Sequence, residues 1–101
     1  MYSGILNFTF DCADARAQAT FWAAVTGWTA QERDATPGHV EYSVEPPAPG
    51  GPRLYFTTVP EPKTIKNRIH LDLLPQADDQ PSGASWIVMA DPEGNEFCLE
   101  G

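Results

Sequence analysis

The chain has 101 residues, of which 42% are hydrophobic, a size and composition typical of one globular domain with a modest core. Fourteen acidic against six basic residues give a net charge of -8, and no basic patch is present. We therefore expect neither a nucleic-acid partner nor attachment to an anionic membrane surface. No apolar run approaches the roughly 20 residues of a membrane helix, and no signal-peptide pattern opens the chain, so we expect a cytoplasmic protein.

The first half of the chain contains four segments in which apolar and polar side chains alternate, as expected for half-buried strands. The predicted strands are residues 5–12, 28–32, 39–44 and 53–59. A loop rich in proline and glycine precedes the last of them. Cys12 falls in the first strand, and we expect it and Cys98 to be free thiols, because a cytosolic protein seldom holds a disulfide.

One helix is predicted in this half, from about Ala15 to Thr26. Asp14 stands at the N-cap position, where its carboxylate can accept from free backbone amides, and Gly27 is placed to end the helix in the left-handed conformation. We expect the helix to pack through one apolar stripe: Ala17, Phe21, Ala24 and Val25.

Residues 66–73 carry the clearest chemical content. In a strand, Ile69, Leu71 and Leu73 point to one face, and His70 points with Asp72 to the other. An ordinary sheet histidine paired with a carboxylate explains this pattern, and so does a functional imidazole in a cavity. Both interpretations stay open at this point.

The chain ends in a predicted hairpin of residues 85–90 and 96–100. Its turn, Asp91-Pro92-Glu93-Gly94, has proline at the second position, which is typical of a type I turn. The second half also partly repeats the first: residues 6–10 overlay residues 69–73, which places Asn7 over His70. Residues 53–56 likewise overlay residues 96–99, which places Tyr55 over Cys98.

The Asp-Pro-x-Gly-Asn-x-Phe hairpin, the segment around His70 and the helix carrying Phe21-Trp22 resemble the glyoxalase-like branch of the vicinal oxygen chelate superfamily. This resemblance covers nearly the whole chain. It implies an α+β fold in a single domain, residues 1–101, made of paired strand-helix-three-strand modules at about 1–60 and 66–101. In that family the modules pair, within one chain or across a dimer, into an open mixed β-barrel or cupped sheet around a ligand or metal cavity.

The second module is shorter than the family pattern. Asn7 and Tyr55 are 48 positions apart, whereas the equivalent residues His70 and Cys98 are only 28 apart. The second module is therefore 20 residues shorter, which is about the length of a three-turn helix with its connections. We therefore expect the second-module helix to be missing. Either a partner chain covers the apolar face that this helix would cover (Leu71, Leu73, Phe97 and Leu99), which predicts a homodimer, or the natural sequence has a helix between Leu74 and Gln80 that this one omits.

The resemblance also implies where a metal would bind. Carried over by position, the family's ligands fall on Asn7, Tyr55 (or Thr57 if the register shifts by two), His70 and Cys98. Only His70 is a usual ligand at its position, and Asp72 or His39 would be needed to complete a set. We expect no catalytic metal, with His70 as the candidate ligand if a divalent ion binds.

We expect a small-molecule binding protein of the glyoxalase and bleomycin-resistance type, and the acidic charge favours a cationic ligand. The predicted cavity is lined by Asn7, Thr9, Tyr55, Thr57, His70, Asp72 and Cys98, with Trp86 or Trp28 at its mouth. The alternative is a metal-dependent lyase, isomerase or dioxygenase in which Asp72 orients His70 as a general base. A second alternative is an interaction module without a ligand.

Overall fold

The computed structural model describes residues 2–76 and 86–100. Contacts divide the chain into two compact units, Met1–Pro62 and Lys63–Gly101. In the described ranges there is one helix, α1 (Ala15–Thr26), and seven strands. The strands are β1 (Asn7–Cys12), β2 (Thr29–Asp34), β3 (Glu41–Glu45), β4 (Arg53–Thr58), β5 (Asp72–Leu73), β6 (Trp86–Ala90) and β7 (Glu96–Glu100).

The fold is α+β, as predicted, and its described strands form two open mixed sheets rather than a closed barrel. The first unit has a four-stranded sheet in the order β1-β4-β3-β2, in which only β1 and β4 run parallel. The second unit has a three-stranded sheet in the order β5-β7-β6. No helix in the described part of the chain combines the length and apolar character needed to cross a membrane.

Helix α1 begins and ends where the sequence predicts. The Asp14 carboxylate accepts from the backbone N–H of Ala17 at 3.0 Å, and Gly27 takes a φ of 74°, the left-handed conformation that glycine adopts without steric cost. The cap N–H of Gly27 donates to the Ala23 carbonyl at 2.9 Å. Both signals are local, so they do not depend on how the helix packs.

The predicted packing stripe of α1 is wrong. The helix buries Ala15, Gln18, Ala19 and Trp22, whereas Ala24 and Val25 are exposed. Alanines occur on several faces of this helix, so more than one stripe of its surface is apolar in sequence. The face that is actually buried includes the polar Gln18, so the apolar pattern does not identify it. Trp22 stacks on Phe10, with 6.3 Å between ring centroids, and Phe10 stacks on Phe56 at 5.1 Å. These three rings form the middle of the first unit's core.

The strand around His70 is much shorter than predicted. Only Asp72 and Leu73 are paired, both with β7, while Ile69 is 84% exposed. Before the strand, the Asn67 backbone N–H donates to the Glu96 carboxylate at 3.0 Å instead of to a neighbouring strand. Alternation alone could not reveal this, because it reports which side chains share a face and not whether a partner strand is present.

The terminal hairpin forms as predicted. Gly94 donates its backbone N–H to the Asp91 carbonyl at 2.9 Å, which closes the turn. The buried Asp91 carboxylate accepts from the backbone N–H groups of Glu93 and Asn95 at 2.9 and 3.0 Å, and from the Asn95 side-chain amide. The turn is therefore fixed by its own side chains.

The sheet registers support the internal repeat. In the first unit Thr9 pairs with Tyr55 across parallel strands, and in the second unit Asp72 pairs with Cys98 in the same way. These are the positions that the overlay of the two halves makes equivalent, since it places Asn7 over His70 and Tyr55 over Cys98. Each half thus presents the first and last strand of its module side by side.

The segment in which the missing helix was expected falls mostly on residues 77–85, outside the described residues. Of the four apolar residues that this helix or a partner chain was expected to cover, Phe97 is buried, and Leu71, Leu73 and Leu99 are half-buried. The exposed apolar side chains of the second unit's sheet lie on β6 instead. They are Trp86, Ile87, Val88 and Met89.

Candidate functional site

The first unit presents a polar sheet face on the side opposite α1. Asn7 and Arg53 are cross-strand neighbours there, and the Arg53 Nε donates to the Asn7 Oδ1 at 2.9 Å. The Tyr55 hydroxyl donates to Glu41 at 2.6 Å, and the Thr57 hydroxyl donates to the other oxygen of the same carboxylate at 2.9 Å. Thr9, beside Tyr55 in the sheet, is exposed.

Ser43 is buried on this same face, where it connects two charged side chains. Its hydroxyl accepts from the Arg33 Nε at 3.0 Å and donates to Glu45 at 3.3 Å. Arg33 also pairs directly with Glu45 at 3.0 Å. Sequence reasoning missed this network and missed Glu41. The alternation of residues 39–44, which puts Glu41 and Ser43 on the face of Tyr55, was the available signal.

Glu41 perturbs the titration of Tyr55. The hydrogen bond from the phenol to the carboxylate is the largest cause that raises the pKa of Tyr55, and partial burial adds to it. The phenol is therefore held neutral as a donor. Tyr55 and Thr57 both donate hydrogen bonds to Glu41, so the three side chains hold one another in place.

The second unit carries a shallow pocket of about 300 Å³ on one face of its sheet. Its walls come from the side chains that alternate to that face on β6 and β7, together with the segment leading into β5. The lining residues are Lys66, His70, Asp72, Trp86, Val88, Glu96, Cys98 and Glu100.

His70, Asp72 and Cys98 meet inside this pocket. The His70 Nε2 lies 3.3 Å from the Asp72 Oδ1, and candidate ligand atoms of all three residues lie within 4.8 Å of one another. The parallel register places Asp72 directly beside Cys98, and His70, which lies two residues before Asp72 and just outside β5, lines the same pocket. Desolvation raises the pKa of the Cys98 thiol, and the negative charges of Asp72 and Glu100 raise it further.

The predicted site residues thus fall into two groups. Asn7, Thr9, Tyr55 and Thr57 share the polar face of the first unit, and the half-buried Trp28 belongs to that unit as well. The second group, which the structure gathers in the pocket, consists of His70, Asp72, Trp86 and Cys98.

Of the four positions that the resemblance implies for a metal, the two in the first unit are engaged by other side chains. The Asn7 amide oxygen faces the Arg53 guanidinium, whose positive charge opposes a cation, and the Tyr55 hydroxyl is engaged by Glu41. The other two positions, His70 and Cys98, lie close to Asp72, which is not one of the four family positions. The other histidine, His39, lies in the first unit and is exposed.

Two open mixed sheets, each with a parallel pair of first and last strands, define a protein of the vicinal oxygen chelate fold. The sequence assigns the family within it: the model of the glyoxalase-like domain matches residues 7–82. The chain belongs to this family. No curated protein sequence matches it.

Solved structures share the fold at low identity. FosX, the fosfomycin resistance protein from Listeria monocytogenes, has a TM-score of 0.73 at 14% identity, covering 100% of this chain and 93% of that one. FosX from Mesorhizobium loti has a TM-score of 0.67 at 16% identity, covering 99% and 92%. Oxidase ChaP-H2 has a TM-score of 0.66 at 16% identity, covering 98% of this chain and 93% of that one. A mutant of the Listeria protein has been solved with Mn(II) and 1S,2S-dihydroxypropylphosphonic acid.

Proposed function

We propose that this chain is a small-molecule binding protein of the glyoxalase and bleomycin-resistance type, and that it acts as a cytoplasmic homodimer. The observation that carries the proposal is the pocket on the second unit's sheet, where His70, Asp72, Trp86 and Cys98 come together. Its volume of about 300 Å³ suits a small ligand, and it combines an aromatic and an aliphatic wall with a few polar groups.

The charges of the pocket favour a cationic ligand. Three carboxylates, on Asp72, Glu96 and Glu100, line it against a single lysine, Lys66. Glu96 is engaged by Lys63 at 3.1 Å and by the Asn67 N–H, and Asp72 lies 3.3 Å from the His70 Nε2, so Glu100 is the carboxylate that the described contacts engage least. Trp86 lines the pocket and is 55% exposed, so its indole is accessible to a cation. The net charge of -8 attracts such a ligand from a distance.

Calorimetric titration with benzyltrimethylammonium, a cation small enough for this pocket, tests the proposal, with benzoate as the anionic control. We expect saturable binding of the cation and no binding of benzoate. Trp86→Ala should weaken cation binding by about two- to thirtyfold, because a cation over an indole ring contributes about 0.5–2 kcal/mol. Trp28→Ala makes the same change in the other unit and is the matched control. Equal binding of cations and benzoate, or no effect of Trp86→Ala, contradicts the proposal.

An enzyme is the second candidate function, and the 3.3 Å contact between His70 and Asp72 favours it. A carboxylate on one imidazole nitrogen fixes the tautomer and leaves the other nitrogen as a possible general base. The fosfomycin resistance proteins among the structural neighbours, one of them solved with Mn(II), make a metal-dependent reaction on a small substrate the alternative. A His70→Ala variant that still folds distinguishes the candidate functions. Lost turnover of fosfomycin supports the enzyme, and weakened cation binding alone supports the binder. No effect on either favours an interaction module without a ligand.

A further inference from the structure

Three chemically different metal-binding side chains converge in the second unit. An imidazole, a carboxylate and a thiol, on His70, Asp72 and Cys98, bring one ligand atom each to within 4.8 Å of the others. The backbone explains why: Asp72 and Cys98 are cross-strand partners, and the Cys98 N–H donates to the Leu71 carbonyl at 2.9 Å. The sheet register therefore sets the positions of Asp72 and Cys98, whereas His70 lies in the irregular segment just before β5.

The distances are close to those of a metal site. With metal–nitrogen and metal–oxygen bonds of about 2.0–2.2 Å, two tetrahedral ligands lie about 3.4 Å apart. The His70 Nε2 and the Asp72 Oδ1 are already 3.3 Å apart. The side chains of His70 and Asp72 are 41% and 54% exposed, so both can rotate toward the Cys98 sulfur without disturbing the core.

We propose that His70, Asp72 and Cys98 bind one borderline-soft divalent cation of the Zn²⁺ or Co²⁺ type, and that the fourth position is open to water or a ligand. Thiolate and imidazole ligands select such ions over Mg²⁺ or Ca²⁺, which take oxygen ligands. Cys98 binds as the thiolate, and its proton passes to solvent. Two further carboxylates on the pocket wall, Glu96 and Glu100, add negative charge near the cation.

This site shares His70 and Cys98 with the four-position set that the family resemblance implies, but its composition is different. It lies within a single unit, it includes Asp72, and it does not use Asn7 or Tyr55, which are engaged in hydrogen bonds of their own. It shares the pocket of the proposed function but does not depend on it. An organic cation on Trp86 can bind to metal-free protein, so titrations in chelator test the two proposals separately.

Cobalt titration of the full chain, stripped of metal beforehand, is the direct test. We expect one Co²⁺ per chain and a thiolate-to-cobalt charge-transfer band in the near ultraviolet, which excess Zn²⁺ abolishes. Cys98→Ser should lose the band. Asp72→Asn and His70→Gln should keep it but bind Co²⁺ at least about tenfold more weakly, because the loss of even an outer-shell partner has that effect.

The chain supplies matched controls, since it has only two histidines and two cysteines. His39→Gln and Cys12→Ser change the same side-chain types in the first unit and should leave cobalt binding unchanged. No saturable band with the wild-type chain overturns the proposal, as does a band that survives Cys98→Ser. Unchanged affinity in Asp72→Asn overturns it as well. If Cys98→Ser fails to fold by circular dichroism, Asp72→Asn decides, because the exposed Asp72 side chain contributes little to the core.

Discussion

Glu41 organises the polar face of the first unit at the scale of single residues. Its two carboxylate oxygens accept from two different hydroxyls, those of Tyr55 and Thr57, on the adjacent strand β4. Hydrogen bonds to an ionised acceptor are stronger than neutral ones. Two predicted cavity residues are therefore fixed by a third residue, and a ligand that reached them would have to displace a charged partner.

The titration of Tyr55 is predicted to depend on Glu41. Since the folded-state pKa of Tyr55 lies above its ordinary value of about 10, this interaction stabilises the fold fully below pH 10. The stabilisation is lost as the pH rises through the folded-state value. Glu41→Gln should lower the Tyr55 pKa toward its ordinary value, which the tyrosinate absorbance reports as a function of pH.

Two variants make this measurement specific. Tyr55→Phe identifies which titration step belongs to Tyr55, because Tyr2 and Tyr42 also contribute. Glu32→Gln removes a carboxylate opposite Tyr42 in the β2–β3 register and should leave the Tyr55 step unchanged. A Tyr55 step that Glu41→Gln does not move would show that burial, rather than the hydrogen bond, raises its pKa.

At the scale of elements, α1 gives the sharpest contrast between neighbouring positions. Trp22 is 2% exposed and packs against Phe10 and, edge-on, against Phe21, whereas Val25 is 39% exposed although the apolar pattern placed it on the packed stripe. Trp22→Ala should cost about 3–5 kcal/mol of unfolding free energy through the cavity it leaves. Val25→Ala should change it by roughly 0.5 kcal/mol or less. Urea denaturation measures the unfolding free energy of both variants. Similar losses in the two variants would show that Val25 belongs to the packed face after all.

The elements also show which features a sequence determines locally. The N-cap, the left-handed Gly27 and the Asp91 turn were predictable, because each depends on side chains within a few residues. The buried face of α1 and the short β5 were not, because burial of Gln18 and exposure of Ile69 follow from which sheet or strand lies opposite. Alternation placed His70 and Asp72 on one face and the family resemblance placed Cys98 in the same cavity, and the β5–β7 register shows that Asp72 and Cys98 are direct cross-strand partners.

At the scale of the whole molecule, the residues predicted to line one cavity divide between the two units of the chain. The repeat makes Asn7 and Tyr55 equivalent to His70 and Cys98, and the sheet registers of the two units agree with that equivalence. The chemistry of the two groups nevertheless differs. The first unit neutralises its polar residues internally through Arg33, Arg53 and Glu41, whereas the second unit keeps an open pocket.

The exposed apolar side chains of β6 support the homodimer proposed above. Ile87 and Met89 alternate to the face opposite the pocket and are 40% and 42% exposed, although both belong to the middle of a strand. Burying a fully exposed side chain of this kind contributes about 1.5–3 kcal/mol, so covering the part of each that is still exposed contributes about 0.6–1.2 kcal/mol, which favours association with a second copy. Sedimentation equilibrium should therefore give twice the mass of one chain.

Ile87→Glu tests whether this face holds the dimer together. A carboxylate buried there without a partner loses its hydration, and in an acidic chain it also repels its neighbours, so dissociation should become at least about tenfold easier. Ile65→Glu makes the same change at a position that is 71% exposed and outside any strand, and it should leave the dimer intact. Because Ile87 does not line the pocket, cation and cobalt binding should persist in the dissociated variant. A wild-type chain that sediments as a monomer would contradict the homodimer. A dimer that Ile87→Glu does not weaken would show that another surface holds the two copies together.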